Sequence, residues 1–363
     1  MIPFLKPSMP SRRKLDQYLT GIYQRQWLTN NGPIAQELTT RLEEYLGVDN
    51  LLLVSSGTMA LQVAYRALEI DGISHDHERE AITTPFTFVA TESSLRWEGL
   101  RPKFGDIQPN TLNLCPKKAK ALVSKNTQVI VPVHVYGNPC DVEAFAEISD
   151  RSGLKLVYDA AHSFGIRING ESVLNWGDAA VLSFHATKIF HTVEGGAIAF
   201  KDADAFERAS EIINFGMSAG TSRVNRVGIN AKMSEIHAAF GLALLDEIDA
   251  IIRRRTDLFA AYSEGLPTSL EQPVWSNAAS RTTTYMPVLF KTNEDRSRCE
   301  AALSNAGISS RRYFYPILGS DDEIEQLNVA KSASERILCL PMYAGLSEKQ
   351  VTKIISTIAN VLE

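Results

Sequence analysis

Short apolar runs alternate with segments of helical periodicity along most of this chain, and no other feature restricts the fold as strongly. Strand-like runs occur near residues 51–56, 81–85, 127–135 and 154–161. The segments between them repeat apolar residues at three- and four-residue spacing, which is typical of amphipathic helices. Apolar strands that are separated by helices indicate a mostly parallel α/β sheet with helices on both faces.

The alternation changes in the second half of the chain. Residues 178–185 and 195–200 are both strand-like with no helix between them, which predicts an antiparallel pair in the sheet. A helical pattern then runs from 233 to 266, long enough to bridge to a second unit. A chain of 363 residues exceeds one compact core. We therefore predict a large domain over 1–245 and a smaller α+β domain over 246–363.

Charge and composition exclude several classes of partner. A net charge of −5 gives no electrostatic footprint for nucleic acid, and the run Arg253-Arg254-Arg255 lies in a helical pattern, which predicts a solvated face. No segment approaches the roughly 20 apolar residues of a membrane span, and the N-terminus lacks a signal-peptide core. The four cysteines form no CxxC pair. We expect a cytoplasmic protein with free thiols and no membrane partner.

One predicted strand end carries small and polar residues, and ligands in open α/β sheets bind at the carboxyl ends of strands. Ser56-Gly57-Thr58 stands between an apolar strand and a helix. Small residues allow close backbone approach there, and the helix N-terminus favours an anion such as phosphate. Taken alone, the same residues fit an ordinary helix N-cap better.

Two charged residues follow other apolar strands. Asp159 closes a strand where a buried carboxylate is costly without a cationic partner; capping of the next helix is the alternative. Lys188 follows the strand at 178–185 and precedes a Glu-Gly-Gly turn. A loop lysine is usually solvated, but together with Asp159 and the Ser-Gly-Thr turn it becomes a candidate Schiff-base nucleophile.

These three features together favour pyridoxal 5′-phosphate (PLP) as the cofactor. PLP requires a lysine for its Schiff base, a carboxylate that keeps its pyridine nitrogen protonated, and a helix N-terminus for its phosphate. The glycine fingerprints of dinucleotide and P-loop sites and the H-E-x-x-H zinc pattern are missing. The cluster His75-Asp76-His77-Glu78 suggests a metal, but its very polar surroundings are more typical of a solvated loop, so no metal site is predicted.

Further motifs support the PLP hypothesis along almost the whole chain. They are Trp27-Leu28-Thr29, Ser56-Gly57-Thr58, Phe86-Thr87-Phe88, the sequence PVHVYG at 132–137, Asp159-Ala160-Ala161-His162, Ser183-Phe184 with Lys188, Glu194-Gly195-Gly196, Arg312-Tyr313-Phe314-Tyr315-Pro316 and Leu340-Pro341. In this order they resemble the DegT-type sugar aminotransferases. These are fold-type I PLP enzymes that aminate keto-sugars attached to nucleotides.

The resemblance implies roles for individual residues. Lys188 falls at the family's Schiff-base lysine, and Asp159 at the carboxylate that pairs with the pyridine nitrogen. These two are the expected catalytic residues. Phe88 corresponds to the aromatic residue that stacks on the cofactor ring, and His162 to a residue that lies against the ring.

Further positions correspond to phosphate contacts. Gly57, Thr58 and Ser183 match phosphate ligands within the chain, and Asn230 matches an asparagine that reaches the phosphate from a partner subunit. The resemblance therefore implies a homodimer with shared sites. Lys232 departs from the pattern, because arginine is common there; the charge is kept but the bidentate fork is lost.

The expected substrate contacts are Thr29, His185, Lys232 and Tyr313. A histidine at 185 that fixes a neighbouring loop by hydrogen bonds is an equal alternative, and core packing is the alternative for Tyr313. The segment around Lys188 is most similar to enzymes that convert dTDP-4-keto-6-deoxyglucose to dTDP-4-amino-4,6-dideoxyglucose with L-glutamate as amino donor. Such a product would serve O-antigen or another surface glycan.

Other functions remain open from the sequence. A 3-keto-sugar aminotransferase of the same family differs only in the carbon that receives the amino group. A non-catalytic sensor that kept the fold has no reason to retain both Lys188 and Asp159. A Rossmann-type oxidoreductase shares the α/β alternation but requires the glycine fingerprint that the chain lacks.

Overall fold

The computed structural model describes residues 1–70, 78–218, 220–221 and 223–363. Its helices are α1 (Arg12–Arg25), α2 (Pro33–Leu46), α3 (Gly57–Ala67), α4 (Val89–Trp97), α5 (Pro116–Ala121), α6 (Val142–Ser152), α7 (Ala203–Ile212), α8 (Glu235–Leu245), α9 (Ile248–Gly265), α10 (Asn293–Asn305), α11 (Asp321–Ile324), α12 (Asn328–Arg336) and α13 (Glu348–Leu362). Its strands are β1 (Leu51–Val54), β2 (Glu80–Thr83), β3 (Arg101–Phe104), β4 (Thr127–Val131), β5 (Lys155–Asp159), β6 (Arg167–Ile168), β7 (Glu171–Ser172), β8 (Ala179–Ser183), β9 (Gly196–Phe200), β10 (Met286–Leu289) and β11 (Ile337–Leu340).

Seven strands form one large sheet in the order β1-β9-β8-β5-β4-β2-β3. Strands β8, β5, β4, β2 and β3 pair in parallel, whereas β9 pairs antiparallel with both β1 and β8. The predicted mostly parallel mixed sheet is confirmed, and so is the antiparallel pairing of β8 with β9. Because β1 runs in the same direction as β8, the carboxyl ends of β1, β2, β4, β5 and β8 lie along one edge of the sheet.

Side chains alternate along the strands between two layers of helices. On β8, Ala180 and Leu182 enter the core that α2, α6 and α8 cover. Their neighbours Ala179 and Val181 enter the core on the opposite face, which α3, α4 and α7 cover. Both faces of the strand are therefore buried, which explains why the strands appear in the sequence as continuous apolar runs.

The helical pattern from 233 to 266 forms two helices, so the prediction of one long bridging helix was wrong. Helix α8 ends at Leu245 and α9 begins at Ile248. Asp246, between them, accepts a hydrogen bond from Arg41 Nη2 on α2 at 2.7 Å, and Glu247 has a non-helical backbone. The apolar spacing continues through the break because α8 packs on α1 and α2 whereas α9 packs on α13.

The C-terminal part has a core of its own. Strands β10 and β11 form a two-stranded antiparallel sheet, and α9, α10 and α13 pack around it through buried residues such as Leu258, Leu303 and Ile354. This is the predicted smaller α+β arrangement. A separate group of buried side chains, which includes Phe86 and Phe314, joins it to the loops at the carboxyl edge of the large sheet.

The expectation of a solvated arginine face on α9 was wrong for one of the three residues. Arg255 is buried, and its Nε and Nη2 donate to the carbonyl oxygens of Thr283 and Thr284 at 3.1 and 2.5 Å. Burial lowers the pKa of Arg255 to about 10. Successive helical residues point in different directions, so a run of three arginines cannot share one face of a helix. Arg253 is exposed, as expected.

Within the described residues, no helix combines the length and the apolar character that a bilayer crossing requires. All four cysteines are free, as the sequence predicts, and three of them are buried.

Candidate active site

A cavity of about 290 Å³ opens at the carboxyl edge of the large sheet. Its walls come from the segments that follow β1, β2, β4, β5 and β8, and from the C-terminal part. The sequence-predicted residues that line it are Gly57, Thr58, Phe88, Asp159, His162, Ser183, His185, Lys188 and Tyr313. The fold therefore brings together nine of the twelve residues that the sequence assigned to cofactor, substrate and catalysis.

The Ser-Gly-Thr turn joins β1 to α3 at one side of the cavity. Ser56 is the N-cap of α3, and its Oγ accepts a hydrogen bond from Met59 N at 3.2 Å, so the capping interpretation holds for this residue. A Cβ on Gly57 would lie 2.8 Å from Ser183 Cβ, so only glycine fits there. The first turn of α3 thus approaches β8 closely and offers its N–H groups to an anion in the cavity.

Asp159 is the last residue of β5 and is buried. Its Oδ2 accepts a hydrogen bond from Thr91 Oγ1 at 2.7 Å, and its Oδ1 accepts one from Ala161 N at 3.1 Å. Burial raises the pKa of Asp159, while these two bonds and the charge of Lys188 act in the opposite direction. A carboxylate in this position favours a cationic group within the cavity.

Lys188 lies in the loop between β8 and β9 and is half-buried. Burial lowers the pKa of Lys188 to about 8, although the negative charge of Asp159 opposes the shift. At neutral pH about a tenth of its amine is therefore unprotonated, far more than at the ordinary pKa of a lysine, and a nucleophilic lysine requires this form. Backbone bonds from Ala186 N to Val193 O and from Thr192 N to Phe184 O fold the loop back on itself.

His162 forms a wall of the cavity between the large sheet and the C-terminal part. Its ring packs edge-on to Tyr285, with centroids 4.9 Å apart, and lies parallel to the ring of Phe314. Burial lowers the pKa of His162 well below its ordinary value, so the imidazole is neutral. Its Nδ1 is buried without a hydrogen-bond partner among the described residues. A buried polar atom in a cavity wall is a ready contact for a polar ligand.

Phe88 and His185 stand nearer the mouth. The side chain of Phe88 is 58% exposed, which is unusual for phenylalanine and leaves the ring free to stack on a ligand. The ring Nδ1 of His185 lies 2.7 Å from Thr187 Oγ1, and its Nε2 lies 3.7 Å from Glu194 Oε1. These local contacts match the loop-fixing alternative for His185, yet the residue also lines the cavity, so both roles are compatible with its position.

Sequence reasoning missed two residues of the site. Thr91 donates to Asp159 from the first turn of α4, and Tyr285 lines the cavity from just before β10. Thr91 lies three residues after Phe88, the N-cap of α4, but nothing in the sequence connects Thr91 to Asp159. Tyr285 lies 126 positions after Asp159, and only the docking of the C-terminal part brings it to the site.

Three predicted residues do not line the cavity of the single chain. Thr29 is exposed, and its carbonyl oxygen accepts a hydrogen bond from Trp27 Nε1 at 2.6 Å. Asn230 is also exposed. Lys232 Nζ donates to Asn214 Oδ1 at 3.0 Å, and burial lowers the pKa of Lys232. In the single chain, none of these three residues therefore contributes to the wall of the Lys188 cavity.

Glu211 hydrogen-bonds several described residues between α7 and Asn230. Its carboxylate accepts hydrogen bonds from Ser218 Oγ at 2.6 Å, Asn225 Nδ2 at 3.0 Å and Arg226 Nε at 2.5 Å. These bonds lower the pKa of Glu211 to about 2. One carboxylate at the end of α7 thus links three described residues, Ser218, Asn225 and Arg226.

Among the described residues, no group of three or more histidine, cysteine or acidic side chains is arranged to hold a metal ion. Only Glu78 of the suggested cluster at 75–78 is described, because His75, Asp76 and His77 lie outside the described residues. The Oε2 of Glu78 lies 3.0 Å from Arg101 Nη1.

The fold and the site define an α/β enzyme whose cleft joins a half-buried lysine, a buried carboxylate and a helix N-terminus. The model of the DegT/DnrJ/EryC1/StrS aminotransferase family matches residues 11–359, and the chain belongs to this family. The resemblance carried by the motifs is thereby confirmed.

Relatives with assigned activities cover nearly the whole chain. A dTDP-4-amino-4,6-dideoxy-D-glucose transaminase from Shigella dysenteriae is 40% identical, with 98% of each chain aligned. One from Escherichia coli is 38% identical over 97% of this chain and 96% of its own. The crystal structure of DesI, solved in the presence of its TDP-sugar product, is 31% identical and superposes with a TM-score of 0.88 over 97% of this chain and 90% of its own.

Because the pKa of Lys188 is lowered, we predict how chemical labelling of this lysine depends on pH in the protein without added cofactor. Acylation requires a neutral amine, so the labelling rate of Lys188 should reach half its maximum near pH 8. Asp159→Asn removes the charge that raises the pKa, so the midpoint should move to lower pH. Mass spectrometry of the Lys188 peptide measures the pH midpoint of labelling in the unsubstituted protein and in Asp159→Asn, with the exposed Lys201 as internal reference. A Lys188 midpoint near the ordinary 10.5 would contradict the account.

Proposed function

We propose that this chain is a PLP-dependent aminotransferase that converts dTDP-4-keto-6-deoxyglucose to dTDP-4-amino-4,6-dideoxyglucose, with L-glutamate as amino donor. The observation that carries the proposal is the placement of Lys188 and the buried Asp159 in one cavity, with electrostatic coupling between them. Family membership supports aminotransfer, and the names of the two relatives that are 38–40% identical support this substrate.

The described residues fit PLP. The first turn of α3, with Gly57, Thr58 and the nearby Ser183, would hold the phosphate, and Asp159 would face the pyridine nitrogen. Phe88 and the unpartnered Nδ1 of His162 offer a stacking surface and a polar contact. When bound, PLP supplies a protonated ring that withdraws electrons from the substrate carbon.

The side chains of this chain have separate tasks in the proposed reaction. The neutral amine of Lys188 would hold the cofactor, and as general base and then acid it would move the proton to and from the substrate carbon. The carboxylate of Asp159, which Thr91 orients through its hydrogen bond, would keep a proton on the pyridine nitrogen. The apolar walls from Phe88 and Phe314 exclude water from the reacting atoms.

We also propose that the enzyme is a homodimer in which Asn230 and Lys232 of one copy complete the site of the other. The described residues 223–230 include exposed apolar side chains that a partner would cover, such as Val224 at 63% and Val227 at 93%. Thr29 belongs to the same proposal, since the exposed Trp27 and Leu28 directly precede it.

We further propose that the domain boundary falls near residue 245. The enzyme acts in the cytoplasm, and its product supplies an amino sugar for lipopolysaccharide O-antigen or another surface glycan.

The reaction is tested by incubating the protein with PLP, L-glutamate and dTDP-4-keto-6-deoxyglucose and identifying the product by mass spectrometry and NMR. The expected product carries its amino group at C4. Lys188→Ala should abolish turnover, and Asp159→Asn should lower the rate by about 10⁴-fold, as when another charge-pairing aspartate is neutralised. Lys201→Ala, which removes an exposed lysine, should leave the rate unchanged.

Two results would contradict this assignment at different levels. Conversion of the 3-keto isomer in place of the 4-keto sugar would overturn the position of amination and favour the alternative aminotransferase. Normal turnover by Lys188→Ala would overturn the lysine assignment itself. A protein that binds no PLP and converts neither sugar would favour the non-catalytic sensor.

The shared site is tested by subunit complementation. Lys188→Ala and Asn230→Ala should each be inactive or strongly impaired alone, because each damages both sites of its own dimer. After the two variants are unfolded and refolded together, mixed dimers contain one site with intact Lys188 and intact Asn230, and activity should return. If refolded mixtures are no more active than the two variants measured separately, Asn230 does not act across subunits.

A further inference from the structure

A second, larger cavity of about 560 Å³ adjoins the Lys188 cavity. The two share four lining residues, Thr87, Phe88, Tyr313 and Phe314, so they are continuous around the exposed ring of Phe88. The far wall of the second cavity is formed by residues 310–316 of the C-terminal part. Nothing in the reaction at Lys188 accounts for this space.

The second cavity has an excess of positive charge. Its charged lining residues are Arg311, Arg312 and Glu300. Glu300 is already bound by Arg296 Nη1 from its own helix, so its charge is offset. Arg312 has structural contacts: Nη2 donates to Ser334 O at 3.1 Å, and its Cζ lies 3.3 Å from the centroid of the Tyr315 ring. The Nε of Arg312 is buried without a partner among the described residues, whereas Arg311 is exposed, so the guanidinium of Arg311 is the cation in this wall that a ligand reaches most readily.

Arg311 combines an anchored backbone with a free side chain. Its N–H donates to Cys339 O at 3.1 Å and its carbonyl oxygen accepts from Cys339 N at 2.7 Å, which fixes it beside β11. Its guanidinium makes only a marginal contact, from Nη1 to Ser310 O at 3.5 Å, and no ion pair of Arg311 occurs in the described part of the chain. The side chain is thus held at the cavity wall without taking part in the fold.

We propose that this cavity binds the diphosphate of the nucleotide-linked substrate, with Arg311 as its cationic ligand. The inference rests on the proposed function. A cavity of about 290 Å³ is at the lower end of the range for small-molecule sites, so a cofactor ring and a sugar fill it and the nucleotide lies outside. A guanidinium matches phosphate oxygens in a bidentate fork, and the adjoining cavity continues the path away from Lys188.

The test compares Arg311→Gln with Arg311→Lys and with Arg253→Gln, a control in which an exposed arginine of α9 outside both cavities is neutralised. Arg311→Gln should weaken binding of dTDP, measured by titration calorimetry on the PLP-loaded protein, and raise the KM for the nucleotide-sugar. The expected change is about tenfold to a hundredfold, because a hydrogen bond to a charged group is lost. Arg311→Lys should be intermediate, and Arg253→Gln should match the unsubstituted protein.

The half-reaction with L-glutamate shows whether Arg311 binds the diphosphate of the nucleotide-sugar or the carboxylates of the amino donor. Stopped-flow absorbance with L-glutamate alone should show the same rate and the same half-saturation for Arg311→Gln as for the unsubstituted protein. A defect confined to glutamate would overturn the proposal and assign the cavity to the donor's carboxylates. Unchanged dTDP binding in Arg311→Gln, or no dTDP binding by the unsubstituted protein, would also overturn it.

Failure of the proposed reaction and failure of the proposed diphosphate subsite give different results. The calorimetric titration with dTDP requires no turnover. If dTDP binds through Arg311 but no keto-sugar is aminated, the diphosphate subsite is supported and the assigned reaction is wrong. If the keto-sugar is aminated with an unchanged KM in Arg311→Gln, the reaction is supported and the subsite is wrong.

Discussion

Asp159 is buried at the carboxyl end of β5, in the middle of a seven-stranded sheet, and its charge needs partners that bulk water cannot supply there. Thr91 from α4 and the backbone N–H of Ala161 provide two hydrogen bonds, and Lys188 provides a nearby positive charge. Burial still raises the pKa of Asp159, so the carboxylate retains a demand for a cationic group in the cavity. The positions of α4 and of the β8–β9 loop both serve this one carboxylate.

The same pair sets the protonation of Lys188. Burial lowers the pKa of the amine, and the negative charge of Asp159 limits that shift. The two parts of the molecule contribute different walls to the cavity around this pair. The large sheet provides the charged floor and the helix N-terminus, and the C-terminal part provides the aromatic wall of Tyr285, Tyr313 and Phe314 together with the arginines of the second cavity.

Much of this could be predicted from the sequence, because strands buried on both faces leave continuous apolar runs and helices between them keep their own periodicity. A parallel sheet binds ligands at the carboxyl ends of its strands. Gly57, Asp159 and Lys188 could therefore be placed together, because each lies at or after the end of an apolar strand. Features that depend on tertiary contacts escaped prediction. The break at Asp246 leaves the apolar spacing intact, Arg255 is buried by a distant backbone segment, and Thr91 and Tyr285 reach the site only through packing. Asn230 and Lys232 lie outside the cavity of one chain, and the roles proposed for them depend on a partner.

The central claim is that Lys188 carries the cofactor. It is tested most directly by saturating the purified protein with PLP, reducing it with borohydride, and mapping the modified peptide by mass spectrometry. The account predicts that the visible absorbance of the bound cofactor is lost on reduction and that the added mass lies on Lys188, close to one per chain. Modification of another lysine at that stoichiometry, or no covalent addition at all, would contradict it.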